Sequence, residues 1–270
     1  MKNVWTKTMR HLKNSPAAAA VTGRAPFLEN PGYCPTCSQD VTFTSYDPWL
    51  RDNYFCSNCG SIPRERALMA VIEKYYPGWQ NLTIHESSPI NRGASVRLRS
   101  ECAYYFQSQY YPDKNPGEMV GGFRCENLEA LTFADESIDL HITQDVMEHI
   151  YHPSRAFQEL ARTLKPGGAH IFTVPMVHKS TPSLLRARLD DHGEVIHLVP
   201  PEYHGNPVSG EGSLVTVYWG YDICEFIFRA TGLFTHLVYI EDTSRGIKAE
   251  LNEVLVTVKP AVGSSLDGIP

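Results

Sequence analysis

The sequence predicts an α/β fold, a mostly parallel sheet with helices on both faces, preceded by a small module held by four cysteines. Three observations lead there. Short apolar runs alternate with helical segments from about residue 62 to residue 258. Four of the seven cysteines fall in two Cys-x-x-Cys pairs, Cys34/Cys37 and Cys56/Cys59. The length, 270 residues, suffices for one large core with a small appended unit.

Composition narrows the classes. With 42% hydrophobic and 20% charged residues the chain should fold as a globular protein. A balance of 24 Lys+Arg against 30 Asp+Glu gives a formal charge of -6, so no global positive field draws in nucleic acid or acidic lipid. No apolar run approaches the roughly 20 residues that span a bilayer. Residues Met1 to Pro26 are basic, with Lys2, Lys7, Arg10, Lys13 and Arg24, and carry the weak apolar run Ala17 to Val21. That run is too short and alanine-rich for a secretory signal, which leaves a flexible or docking arm and a cytoplasmic location, although an organellar transit peptide has a similar composition. Cys102, Cys125 and Cys224 are scattered singly, which suits a reducing compartment better than a disulfide framework.

The elements follow in order. Residues 38–55 separate CPTC from CSNC, a spacing that lets two knuckles close one tetrahedral zinc site, with Val41 to Ser45 and Asn53 to Phe55 as strand pieces between them. Four thiolates fill the shell, so a structural ion is expected in preference to a catalytic or redox site. Ile62 to Tyr76 reads as a helix, with Leu68, Val71, Ile72 and Tyr75 on one face and Pro77-Gly78 after it. Leu82 to His85 is a strand, about Asn91 to Ser100 a polar helix, and Ala103 to Gln107 a second strand. Leu131 to Phe133 and Ile138 to Thr143 are further strand pieces. Pro153 to Leu164 buries Phe157, Leu160, Ala161 and Leu164, Pro166-Gly167-Gly168 should stop it, and Ala169 to Val174 returns as a strand. A last helix at Ile223, Phe226, Ile227 and Ala230 closes at Gly232, and two strands, Thr235 to Ile240 and Glu253 to Val258, complete an antiparallel edge.

The run LTFADESIDLHITQDVMEHIYHPSRAFQELARTLKPGGAHIFTVP, Leu131 to Pro175, resembles the core of the class I S-adenosylmethionine (SAM)-dependent methyltransferases of type 11. Upstream, CSNCGSIPRERAL and IHESSP resemble a subgroup with a zinc ribbon before the methyltransferase domain. The resemblance implies a Rossmann-like, mostly parallel seven-stranded sheet with an N-terminal four-cysteine zinc ribbon. It implies an arm over 1–30, the ribbon over 31–62 and the methyltransferase domain over 63–260. An acceptor-binding insert lies at about 176–220 and a tail at 261–270.

Ligands of open α/β sheets bind beyond the carboxyl ends of the strands. The first such loop, Glu86 to Gly93, has one late glycine where the family has a Gly-rich turn. Ser87 and Ser88 still permit close approach, and Glu86 is placed for the cofactor's ammonium. After the second strand Ser108 and Gln109 stand where the family puts an acid on the ribose. After the third, Glu126, Asn127 and Leu128 are candidates for the adenine, with the Asn127 carbonyl as acceptor and the Leu128 amide as donor. By resemblance Gln144 and Asp145 border the methionine part and Val146 packs near the adenine, although Asp145 would also cap a helix there.

Within the long insert, Glu202 to Pro207 resembles a short motif of related enzymes, and His204 is the candidate general base on the acceptor side. A histidine bonded to backbone in a turn is the alternative. His178, His192 and His197 match no metal-ligand spacing. The expected activity is methyl transfer to a small-molecule or saccharide acceptor. An RNA methyltransferase, which the acidic balance disfavours, and a cofactor-free binding scaffold stay open.

Overall fold

The computed structural model describes residues 25–205 and 212–261; the basic arm, Asn206, Pro207 and the end of the tail lie outside them. The first described strand starts at Leu28. Strands β1 (Leu28–Cys34) and β2 (Gln39–Ser45) form an antiparallel hairpin whose turn is the first knuckle, and β3 (Phe55–Cys56) adds to β2. Asn53, expected in a strand, instead ends the one-turn helix α1 (Leu50–Asn53). The Asp47 carboxylate accepts from Trp49 N at 2.8 Å and Asn53 Nδ2 donates to Trp49 O at 2.9 Å, so side chains outbid the extended backbone there.

Helix α2 (Pro63–Tyr75) starts on a proline, and the Glu65 carboxylate accepts the Ile62 amide at 3.1 Å. The body continues through β4 (Thr83–Ser87), α3 (Gly93–Glu101), β5 (Tyr104–Gln109), β6 (Met119–Val120), β7 (Phe123–Cys125), β8 (Ile138–Gln144), α4 (Pro153–Thr163) and β9 (Leu164–Thr173). Short antiparallel pairs make the insert: β10 (Leu184–Leu185) with β15 (Val217–Tyr218), β11 (Ala187–Leu189) with β12 (Val195–His197), and β13 (Tyr203–His204) with β14 (Ser213–Leu214). Helix α5 (Ile223–Thr231) then leads to β16 (Thr235–Val238) and β17 (Val254–Val258).

The main sheet runs β16-β17-β9-β8-β4-β5-β7-β6. Strands β9, β8, β4, β5 and β7 are mutually parallel, β17 runs antiparallel between β9 and β16, and the two-residue β6 folds back on β7 as an eighth strand. Period-two alternation divides the core. Ile84, Ile142 and Ile171 pack with Leu68, Ile72 and Leu98 of α2 and α3; Phe172, Val174 and Leu255 pack with Phe157 of α4 and Ile227 of α5.

Two readings are corrected. Pro166-Gly167-Gly168 does not separate α4 from its strand; β9 starts at Leu164 and the glycines lie within it. A Cβ at Gly168 would stand 2.6 Å from Asp139 O, so glycine permits β8 and β9 to close there, where their register shifts. Leu131 to Phe133 forms no strand, because the Arg162 guanidinium takes the Leu131 and Phe133 carbonyls, at 3.0 Å each.

A candidate cofactor cleft, acceptor pocket and four-cysteine site

The four sulfurs of Cys34, Cys37, Cys56 and Cys59 lie within 4.8 Å of one another. Cys34 Sγ is 3.8 Å from Cys59 Sγ and Cys37 Sγ is 3.9 Å from Cys56 Sγ. A tetrahedral ion with thiolate bonds of about 2.3 Å needs sulfurs about 3.8 Å apart, so the donor set fits. Hydroxyls supply outer support: Thr36 Oγ1 is 3.0 Å from Cys34 Sγ and 3.1 Å from Cys59 Sγ, and Ser61 Oγ is 3.2 Å from the latter. The Arg66 guanidinium, fully buried, lies over the Phe43 ring at 4.6 Å and donates to Tyr54 O and Gly246 O, which ties ribbon to body.

At the carboxyl end of β4, Glu86 is completely buried. Its Oε1 accepts from Ser95 Oγ at 2.6 Å and Gln144 Nε2 at 2.8 Å, and its Oε2 from the Tyr105 hydroxyl at 2.7 Å. Burial lifts its carboxyl above the ordinary range, against these donors. Both oxygens expected to meet an ammonium are therefore already engaged. Gln144 Oε1 is left as a buried acceptor without a partner among the described residues. Ser87 is buried and Ser88 half-buried. The single glycine of this loop, Gly93, has φ +54, and a Cβ there would sit 2.2 Å from Glu65 Oε2. It serves helix packing.

In the second and third loops the candidate side chains also have partners within the protein. Ser108 points inward, its Oγ 2.8 Å from His85 Nε2, because strand alternation puts it on the histidine side of the sheet. Gln109 is buried at the strand end, where its carbonyl accepts the Glu126 amide at 3.1 Å. Glu126 pairs with Arg124 Nε at 2.6 Å and accepts the Thr132 amide at 2.9 Å, so its carboxylate is committed to the loop. Asn127 Oδ1 accepts from Glu129 N at 2.9 Å, an Asx turn that engages the proposed adenine acceptor. The Leu128 side chain is buried in the core beside α4, which fixes where its amide stands.

Asp145 does not cap the turn that follows it. With φ 52 it turns back under the sheet end, where Arg51 Nη2 reaches both carboxylate oxygens at 2.8 and 3.0 Å, Arg64 Nε lies at 3.0 Å and Thr173 Oγ1 donates at 3.0 Å. Burial opposes its charge, but the two guanidiniums outweigh burial and hold it far below the usual carboxylate range. Asp145→Asn should therefore leave Asp52 as the carboxylate facing Arg51 and Arg64 among the described residues and lower stability by about 2 kcal/mol, less than the loss of a sole partner. Urea unfolding checks this, and an unchanged midpoint would remove the latch. Val146, next in the chain, packs on the core beside α4 and α5.

Beyond it the insert and the loop after β8 bring together a cluster of acids and imidazoles. The β13–β14 hairpin brings His204 back over the loop after β8, so that His204 Nδ1 is 3.7 Å from Glu148 Oε1 and Nε2 is 3.5 Å from Glu202 Oε1. His149 Nε2 is 3.7 Å from the same Glu148 oxygen. Burial disfavours a charged His204, but Glu148 first and Glu202 with it raise its pKa above the ordinary value. The insert is tied to this loop by backbone: Thr216 N donates to Glu148 O at 2.8 Å, Thr216 Oγ1 to Ile150 O at 2.7 Å, and Trp219 Nε1 to Met147 O at 3.1 Å. Glu148 and His149 are adjacent in the loop after β8, and nothing in their own stretch of sequence pairs them with His204.

The methyltransferase domain family matches residues 104–172, from β5 to β9. An uncharacterized methyltransferase of Mycolicibacterium gilvum (strain PYR-GCK) is 32% identical over 71 residues, 23% of this chain and 28% of that protein. Another, of Mycolicibacterium vanbaalenii, is 36% identical over 56 residues, 21% of this chain and 22% of the relative. The chain thus spans less than a third of the curated relatives it matches. Among solved structures, an S-adenosylmethionine dependent methyltransferase from Mesorhizobium loti is 13% identical with a TM-score of 0.42, covering 71% of this chain and 96% of its own. Burkholderia thailandensis 1,6-didemethyltoxoflavin-N1-methyltransferase, with S-adenosylhomocysteine bound, is 12% identical at 0.42, covering 73% and 78%. Over its central strands, residues 104–172, the chain matches the model of a methyltransferase domain.

Proposed function

We propose that the protein transfers a methyl group from SAM to a small-molecule or saccharide acceptor, with a structural zinc ion in the four-cysteine ribbon. The observation that carries the reading is the approach of His204 to Glu148, because it sets an imidazole of the insert against the loop after β8, within the stretch that matches a methyltransferase domain. Methyl transfer from a sulfonium is an in-line displacement, so the protein's task is to align the acceptor with the methyl carbon and to keep water out. The cofactor takes the cleft at the ends of β4, β5, β7 and β8, bordered by Gln144 and Leu128, and His204 serves to activate the acceptor. The residues Glu86, Ser108 and Asp145 support the cleft from behind, through the partners described above.

His204→Ala is expected to leave the affinity for S-adenosylhomocysteine unchanged while lowering turnover by roughly a hundredfold, the ordinary scale of proton management at an acceptor. Loss of cofactor binding in that variant would move His204 to the cofactor side. Calorimetric titration of the unmodified chain with S-adenosylhomocysteine is the prior test. The internal commitment of Glu86, Ser108 and Asp145 favours one second reading, a scaffold that keeps the fold without the cofactor, and absence of binding would select it.

A further inference from the structure

The carboxylate of Glu148 is 1% exposed, and neither oxygen has a hydrogen-bond partner among the described residues. Its neighbours make this more unusual. His149 Nδ1 lies 2.8 Å from the Leu214 carbonyl, an acceptor only, so Nδ1 carries the hydrogen. In a neutral ring Nε2 then presents its lone pair towards Glu148 Oε1, 3.7 Å away. Acceptor faces acceptor across that gap. On the other side His204 Nδ1 faces the same oxygen at 3.7 Å while its Nε2 faces Glu202 Oε1 at 3.5 Å, so a ring holding its hydrogen on Nε2 also turns a lone pair inward. The donor atoms of Glu148, His149 and His204 all lie within 4.8 Å of one another.

We infer that Glu148, His149 and His204 bind a divalent transition-metal ion at the acceptor pocket, distinct from the four-cysteine site. Three lines of chemistry converge. A cation supplies charge and direct bonds to a buried carboxylate that faces two imidazoles at 3.7 Å but has no hydrogen bond among the described residues. Ligands about 2.1 Å from a metal stand roughly 3.0–3.4 Å apart, so the observed 3.7 Å spacings require adjustments of a few tenths of an ångström. Both imidazoles have the outer-sphere partner that a metal-bound histidine uses on its other nitrogen, a backbone carbonyl for His149 and a carboxylate for His204. Two histidines and one carboxylate suit first-row divalent ions and leave coordination positions open. The inference rests on the methyltransferase reading for its purpose. The open positions would take a hydroxyl of the acceptor, which the ion acidifies so that its proton passes to water; the oxygen then bonds the methyl carbon as the sulfonium S–C bond breaks and S-adenosylhomocysteine leaves. His204 then acts by holding the ion.

Co2+ added to the zinc-loaded chain is the test, since an N/O site gives visible d–d bands without the thiolate charge-transfer bands of a cysteine site. The expected result is one additional Co2+ per chain. Glu148→Gln, which keeps the shape and removes the charge, should weaken uptake by at least about tenfold, the lower end of the cost of losing even an outer-shell partner. Where that variant fails to fold, His204→Ala decides by the same readout. No uptake beyond the cysteine site, or equal uptake in folded variants, overturns the inference. Co2+ uptake without S-adenosylhomocysteine binding would support the metal site and sink the methyltransferase reading instead.

Discussion

Cys56→Ser is expected to lose the ribbon metal and to lower the thermal midpoint of the whole chain, with the four-cysteine ribbon collapsing first. Binding of structural zinc by four thiolates is worth on the order of 10 kcal/mol and is realised only in the folded module. The ribbon's own core, Phe43 and Tyr54 with the cysteines, is too small to replace it. The effect should reach the cleft. Arg51 and Arg64, which hold Asp145 at the end of β8, belong to α1, between the ribbon strands β2 and β3, and to the start of α2, which follows β3. Chelation should therefore loosen the Asp145 loop and weaken S-adenosylhomocysteine binding as well as the ribbon. Metal analysis of wild type and variant, paired with thermal melts, is the check; unchanged metal content in Cys56→Ser would overturn the ligand set.

Acid should unfold the protein through three histidines that share one row of the sheet. His85, His141 and His170 are in register on β4, β8 and β9 and are all buried. His85 Nδ1 is 2.9 Å from His141 Nδ1, His141 Nε2 is 2.8 Å from Thr163 Oγ1, and His170 Nε2 is 3.0 Å from Thr143 Oγ1. Burial pushes His85 and His170 down to about 3 and His141 well below its ordinary value. The folded rings therefore stay neutral while the unfolded chain takes up protons below its pKa of 6.5. Stability is complete above 6.5 and falls as pH drops from there towards 3, with a limiting slope of about 4 kcal/mol per pH unit for three protons. Glu86, whose pKa is raised, acts in the opposite sense, but it is one group against three. Urea midpoints measured between about pH 7 and pH 5 should decline steeply, and His141→Asn should flatten the decline. A pH-independent midpoint would show that these rings take up protons as readily in the fold as in the unfolded chain.

The sheet was legible because alternation and 3.6-residue periodicity are local properties. Phe157 and Leu160 mark α4 and Ile84 and Ile171 mark strands whatever the rest of the chain does. The destination of a polar side chain is different. Arg51, Arg64 and Arg66 look like surface cations in sequence and are buried only because Asp145, Asp52 and the Gly246 carbonyl meet them from distant positions. Ser108 and Asp145 stand at strand ends, where they meet His85 and the guanidiniums of Arg51 and Arg64, partners that their own stretch of sequence does not announce. The insert's strands, two or three residues each, are too short to carry a period, so the pairing that brings His204 to Glu148 could not be read.

The bonds from Thr216 and Trp219 to the loop after β8 bear on any attempt to re-engineer this protein for a new acceptor. The insert invites exchange as a cassette, but Thr216 and Trp219 fasten its return to the carbonyls of Met147, Glu148 and Ile150. A graft that replaced 176–220 whole would cut the stitches that hold the β8 loop in place. Junctions drawn just after Leu185 and just after Leu214 would keep those stitches and exchange only the short strands β11 to β14 and their turns, so chimaeras built on that boundary should fold where wider ones fail.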